Sequence, residues 1–166
     1  MFVPINQMPP TSRVWIYQAN RSISEKEVSV IAESLTLFCE QWQAHGEPLQ
    51  TSFSIDYNRF IVLAVNENAS SPSGCSIDSS VHVLKSLERQ LSIDFFSREE
   101  VAIFDDNWIV TYPLQNLKKL FIEGTLHENS VALNTLVQTL DEWTTKSRVK
   151  VSQSWLKRYI PKVPVS

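Results

Sequence analysis

The chain has 166 residues, of which 43% are hydrophobic and 20% charged, and its formal net charge is −3. That length suits one domain and buries about 70% of the unfolded surface, so no metal or disulfide staple is needed. The composition is that of an ordinary globular protein, and the charge excludes a globally basic nucleic-acid binder.

Residues 1–13 hold three of the eight prolines and are expected to form an extended arm. They have neither a basic n-region nor an apolar h-region, so no signal peptide is expected. No apolar run is long enough to cross a bilayer. Two cysteines, Cys39 and Cys75, make no disulfide framework. Together these features predict a soluble, cytoplasmic protein with reduced thiols.

Residues 14–19 read as a strand, with Val14, Ile16 and Gln18 on one face and Trp15 and Tyr17 on the other. Open aromatics on a sheet can stack nucleobases. The aromatic-and-glycine motif of such RNA binders is absent, however, and so is a basic sheet face. Trp15 and Tyr17 are therefore expected to lie under the C-terminal segment.

The next element carries the clearest signals. Ser24 and Glu27 make a capping box, and Ile23 and Val28 flank it at hydrophobic-staple spacing. Val28, Ile31, Ala32, Leu35, Phe38, Cys39 and Trp42 follow a 3.6-residue period. Gly46 stands where a left-handed C-terminal cap is expected, and Pro48 prevents continuation. Cys39 on the apolar face is expected to be buried.

Residues 51–57 alternate, with Phe53, Ile55 and Tyr57 on one face and Ser52, Ser54 and Asp56 on the other. Residues 60–65 are continuously apolar, as in a strand buried on both faces. Asn58 and Arg59 between them predict a tight turn. A second helix is expected from Ser76, with Ile77, Val81, Leu84, Leu87 and Leu91 inward. Residues 101–104 and 108–112 predict a hairpin around Asp105-Asp106-Asn107. Pro113 opens a short helix that Gly124 stops. Residues 131–140 fit strand or helix equally, and residues 154–160 close the domain with Trp155 and Tyr159.

The order strand, helix, strand, strand, helix, strand predicts an α+β fold. Its antiparallel sheet would have the ferredoxin-like βαββαβ order, with a C-terminal helix and strand extension. The expected organisation is an arm (1–13), a core (14–112) and an extension (113–166) packed on it as part of the same domain.

Only three glycines are present, Gly46, Gly74 and Gly124, and none belongs to a phosphate loop or a dinucleotide fingerprint. There is no nucleophile elbow. His45, His82 and His127 do not have metal-ligand spacing. No cofactor or metal is expected.

One stretch concentrates reactive groups: Ser73-Gly74-Cys75-Ser76-Ile77-Asp78-Ser79-Ser80, after a loop of small residues. A helix N-terminus has free N–H groups and a dipole that attract anions and lower a thiol's pKa. In the plain reading Ser76 caps the helix, Asp78 sits in its first turn and Cys75 fills space. A carboxylate there is favourable by about 0.3–1 kcal/mol. In the functional reading Cys75 is a nucleophile, His82 its base, and Asp78 orients His82. Asp78 would oppose thiolate formation, which favours the plain reading. A third reading makes the stretch, through Ser73, Gly74, Cys75, Ser76, Asp78, Ser79 and Ser80, a recognition surface. Arg59 is not expected to converge on it.

Trp15-Ile16-Tyr17-Gln18, Tyr57-Asn58-Arg59-Phe60, and the 74–80 stretch followed by Leu84-Lys85 resemble a family of small Bacteroidota proteins of unknown function. The resemblance covers about residues 14–159. Members are often labelled "ABC transporter ATPase". The present chain has no Walker lysine, Gly-rich phosphate loop or Leu-Ser-Gly-Gly motif, so ATP hydrolysis is not expected of it.

The functional expectation is a non-enzymatic interaction protein that uses residues 66–80 to bind another protein. The rival is a thiol-dependent enzyme or redox sensor centred on Cys75. A weaker third partner class is nucleic acid, at the segment 146–162. There Lys146, Arg148, Lys150, Lys157, Arg158 and Lys162 stand without an acidic residue; a basic tail docked on an acidic body is the expected alternative. No oligomeric state is predicted.

Overall fold

The computed structural model describes residues 1–162, so the last four residues of the 113–166 extension lie outside the described residues. The fold is α+β, and the chain divides into two compact units. The first comprises Met1–Ser97 and Gln138–Thr144, the second Arg98–Val137 and Thr145–Ser166. The division thus falls at residue 97/98 and not near residue 113. A hairpin read as part of the core belongs with the second unit, because its strands bond to each other and to later chain.

In the first unit, β1 (Arg13–Gln18) leads to α1 (Glu25–Gln41). Ser24 and Glu27 form the expected capping box: Glu27 N–H donates to Ser24 Oγ (3.3 Å) and Ser24 N–H to Glu27 Oε2 (2.9 Å). Ile31, Leu35 and Cys39 are buried, and Ile23 and Val28 join the cluster that Ile31 and Leu35 build. The helix ends because Trp42 turns extended (ψ 123°). Its indole N–H donates to the Ser76 carbonyl at 2.7 Å. Gly46 has φ +80°, but not as a helix cap. His45 (φ 53°) and Gly46 turn a small hairpin between β2 (Gln43–Ala44) and β3 (Glu47–Pro48). The left-handed residue was legible; the element it serves was not.

Next come β4 (Thr51–Asp56) and β5 (Phe60–Val65). Tyr57 lies outside the strand, in the turn, where Tyr57 (φ 56°) and Asn58 (φ 51°) are both left-handed. The sheet order is β1-β5-β4, antiparallel throughout. β5 is its centre and is buried on both faces at all six positions, as its continuous apolar run requires.

On one face Tyr17, Phe53, Ile55, Ile61 and Leu63 pack on Ile31 and Leu35 of α1 and on Leu84 and Leu87 of α2 (Gly74–Leu91). Trp15 lies at the edge of this face, 6.2 Å from the Trp42 ring. Trp15 and Tyr17 are thus covered by helices and their flanks (Phe96 meets Tyr17 edge-on at 5.3 Å), not by the C-terminal segment. The reason is strand parity: they share a face with Phe53 and Ile55.

β1, α1, β4 and β5 have the neighbour order of a βαββ unit. The fourth strand of a ferredoxin-like sheet does not join it. The outer edge of β1 carries the Arg13–Thr139 bridge and the Val14 N–H to Gln138 carbonyl bond (2.9 Å).

A bidentate pair ties the two helices together. Arg21 donates to both Glu27 oxygens (2.9 and 2.8 Å) and to the Leu91 carbonyl (2.9 Å) at the end of α2. The Arg21 bonds, followed by the Ser24 backbone bond, lower the Glu27 pKa to about 2 from an ordinary 4.5. A carboxyl whose pKa is depressed on folding adds stability above its unfolded pKa and loses it as pH falls through the folded one. Glu27→Gln keeps the capping box but breaks the ion pair. It should be less stable than wild type at pH 7 in urea titrations. The difference should shrink below about pH 4.5 and vanish near pH 2; a difference independent of pH would refute the assignment.

In the second unit, β6 (Glu100–Asp105) and β7 (Trp108–Pro113) form the expected hairpin, turned at Asp106 (φ 53°) and Asn107. A short α3 (Leu117–Ile122) follows, and Gly124 (φ +79°) succeeds it as expected. β8 (Val131–Leu133) settles the ambiguous stretch as strand at its start. α4 (Leu140–Lys146) begins within the segment that returns to the first unit, and β9 (Arg148–Lys150) follows it. The sheet order is β7-β6-β8-β9. Val101, Ile103 and Ala132 pack under Leu117, Phe121, Leu126, Val151 and Leu156. Residues Trp155–Tyr159 form a 3₁₀ turn that closes this core through Leu156. Among the described residues no helix is long and apolar enough to cross a membrane.

Candidate functional site

The serine-rich helix starts two residues earlier than its sequence suggests. Ser73, not Ser76, is the N-cap. Ser76 N–H donates to Ser73 Oγ (3.2 Å), and Ser73 N–H donates to Ser76 Oγ (2.6 Å). Serine at the third helical position replaces the usual Glu or Gln of a capping box, which hid the true start. Gly74 and Cys75 therefore lie inside the first turn.

The hydroxyls are engaged locally. Ser76 Oγ also donates to the Ser73 carbonyl (2.7 Å), Ser79 Oγ to the Cys75 carbonyl (3.0 Å) and Ser80 Oγ to the Ile77 carbonyl (2.6 Å). Ser76 and Ser80 are buried, each 2% exposed, on the stripe that continues through Leu84 and Leu87. Cys75, Asp78, Ser79 and His82 are exposed. Among the described residues no hydrogen bond or ion pair joins Cys75, Asp78 and His82. Asp78 and His82 share a helix face, but the geometry assembles no triad. Arg59 precedes β5 and the 66–73 loop follows it, so a six-residue strand, about 20 Å long, separates them.

The two thiols differ sharply. Cys39 is fully buried, and burial pushes its thiol up to about 11. At neutral pH one thiol per native chain should react with an aromatic disulfide reagent. Cys75→Ser should abolish that reaction, and Cys39 should react only on unfolding. Two fast thiols, or none, would contradict the packing.

A concavity lies elsewhere, within the second unit. A cleft of about 580 Å³ opens between the β6–β7 hairpin and the loop 124–131. Ile103, Val110, Leu126 and Val131 supply apolar wall, while Asp105, Asp106, Tyr112, His127, Asn129 and Ser130 supply polar groups. The loop is pinned by its own turn (Ser130 N–H to His127 carbonyl, 2.9 Å; His127 N–H to Ser130 Oγ, 3.0 Å). Val151 N–H to the Ser130 carbonyl (2.8 Å) and Ser152 N–H to the Glu128 carbonyl (3.0 Å) hold its far side. Arg148 lies over the Phe104 ring at 4.3 Å and donates to the Asp106 carbonyl at 3.0 Å, so its guanidinium braces the hairpin tip. Sequence reading missed this cleft because Asp105-Asp106-Asn107 and residues 124–130 each look like ordinary turns. Only tertiary packing makes them two walls.

A shallower depression of about 380 Å³ surrounds Asn20, Lys85, Glu88, Arg89, Ser92 and Asp94. Its carboxylates are occupied. Glu88 pairs with Lys85 (2.9 Å) and accepts from Phe95 N–H (2.8 Å). Asp94 accepts from the N–H groups of Phe96 and Ser97 (2.8 and 3.0 Å), and the first of these bonds leads the lowering of its pKa. No cluster of three or more metal-ligating side chains occurs among the described residues. Two of the basic residues of 146–162 are engaged locally. Arg148 braces the hairpin, and Arg158 stacks beside Tyr159 at 5.0 Å and donates to its hydroxyl (3.1 Å). Comparison with family models, curated proteins and solved structures finds no match to this chain.

Proposed function

We propose that this is a cytoplasmic interaction protein that works by binding, and that the cleft of the second unit recognises a short segment of a partner protein. The observation that carries this reading is the cleft itself: an apolar wall, hydrogen-bonding groups along a pinned loop, and two exposed carboxylates at one end. Such a mixture suits an apolar side chain next to a basic one. Its volume falls in the range of small-ligand sites, about 300–1,000 Å³. The 66–80 turn supports recognition less well, since its serine hydroxyls are consumed in starting α2. The resemblance to the Bacteroidota family belongs to the same proposal, without the ATP chemistry of its label.

The test is amide chemical-shift mapping with N-acetylated, C-amidated Leu-Arg and Phe-Lys dipeptides. Shifts should cluster at residues 105–112 and 125–131 and weaken in Asp105→Asn/Asp106→Asn. Shifts confined to 66–80, or none at millimolar peptide, would overturn the assignment.

The second reading, thiol chemistry at Cys75, is favoured by that residue's exposure in the first turn of an 18-residue helix. It requires labelling much faster than that of an ordinary exposed thiol at neutral pH. An ordinary rate would remove it.

A further inference from the structure

The β6–β7 hairpin sets Ile103 opposite Val110 and Asp105 opposite Trp108. Directly opposed residues share a face of the sheet, with Cβ atoms about 4.5–5.5 Å apart. Side chains two residues apart on a strand share that face as well. Ile103, Val110 and Asp105 line the cleft, so Trp108 carries the same wall on toward the hairpin tip. Trp108 is 78% exposed, and Asp105 beside it is exposed too. Among the described residues neither Asp105 nor Asp106 has an ion-pair partner. The face of an indole ring is electronegative, so ring and carboxylate attract the same thing, a cation.

We infer, on the peptide reading of the cleft, that Trp108 and Asp105 clamp an arginine side chain of the partner segment, and that Trp108 sets a preference for arginine over lysine. A guanidinium is planar. It can lie flat on the indole and still aim two parallel N–H groups at the carboxylate. An ammonium is a compact, strongly hydrated charge and gains less from the ring. The apolar neighbour of that arginine would then fall on Ile103 and Val110, deeper along the same face.

The hairpin already holds one arginine in this manner on its other face. Phe104 precedes Asp105 and stands opposite Ile109, so its side chain leaves the sheet on the reverse side. There Arg148 lies over the Phe104 ring at 4.3 Å and donates to the Asp106 carbonyl at 3.0 Å. Trp108 and Asp105 offer the same two parts, an aromatic face and an oxygen acceptor, on the cleft side. The indole is the better ring for a cation, and the carboxylate adds charge that a carbonyl lacks.

The test is titration of the full chain with N-acetylated, C-amidated Leu-Arg, Leu-Lys and Leu-citrulline, followed by amide shifts. Leu-Arg should bind about 3- to 10-fold more tightly than Leu-Lys, and the uncharged citrulline peptide should bind more weakly than either. The Trp108 indole N–H signal, identified by its loss in Trp108→Phe, should move with Leu-Arg. Trp108→Leu should leave the circular dichroism spectrum unchanged and erase the difference between arginine and lysine, whereas Trp108→Phe should keep part of it. Equal affinity for Leu-Arg and Leu-Lys, an indole signal that does not move, or an arginine preference that survives Trp108→Leu would each overturn the clamp. Shifts at 105–112 and 125–131 with an indifferent Trp108 would overturn the clamp alone and leave the cleft reading standing. No binding of any peptide, or shifts confined to 66–80, would overturn both.

Discussion

Leu63→Ala should destabilise the protein by about 3–5 kcal/mol, read as a fall in urea midpoint with little change in slope. Leu63 is fully buried at the centre of the central strand. It stands opposite Trp15 on one neighbour and Phe53 on the other. The helices above it contribute Ile31, Leu35 and Leu84 to the same cluster. Removing the branched end of this side chain leaves a void that two strands and two helices would have to close together, and close packing resists that. Leu37→Ala is the contrast. Leu37 is 60% exposed on α1, so its truncation should change stability by no more than about 0.5 kcal/mol. The loss at Leu63 is a large share of the roughly 5–15 kcal/mol that holds a domain folded. Equal effects at the two positions would mean that α1 and α2 do not cover this face.

What the sequence made legible is what neighbouring residues decide among themselves. The α1 capping box, the apolar run of β5 and the two-residue turn at Asp106-Asn107 are short-range signals, and each element formed where its signal lay. Errors arose where one local signal has two uses. A left-handed Gly46 ends helices and also turns hairpins. Ser76 can cap a helix, yet here it is the reciprocal partner of the cap at Ser73. Leu84, Leu87 and Leu91 of the α2 stripe face the core as expected, but its first turns present Ser76 and Ser80 in place of Ile77 and Val81; these serines are buried although polar, because each hydroxyl bonds a carbonyl of its own turn. Strand assignment to sheets was harder still. β6 could extend the first sheet or pair with β7. The tight turn decides locally for β7, and β8 then takes the other side of β6. The cleft left no trace in any window of sequence, since its walls come from residues 103–112, 125–131 and 148.

Trp143→Ala should cost about 3–5 kcal/mol, the usual range for truncating a buried large aromatic. This residue reports on the least local feature of the first unit, the return of Gln138–Thr144 to it. The Trp143 ring meets Phe60 edge-on at 6.0 Å, and its indole N–H donates to Asp56 Oδ2 at 2.7 Å. Eighty-seven residues separate donor and acceptor, so no sequence window could pair them. Leu140 N–H to the Ser12 carbonyl and Asp141 N–H to the Pro10 carbonyl, both 2.9 Å, hold the segment against the N-terminal arm. The hydrogen bond and the packing can be separated. Trp143→Phe keeps most of the ring but leaves the carboxylate without its indole donor, so it should lose about 1.5–3 kcal/mol. In a double-mutant cycle, Asp56→Ala should then cost less in the Trp143→Phe background than in wild type, by about 1–2 kcal/mol. Additive effects would mean that the indole and Asp56 do not meet. The segment would then owe its place to apolar contact and its backbone bonds alone.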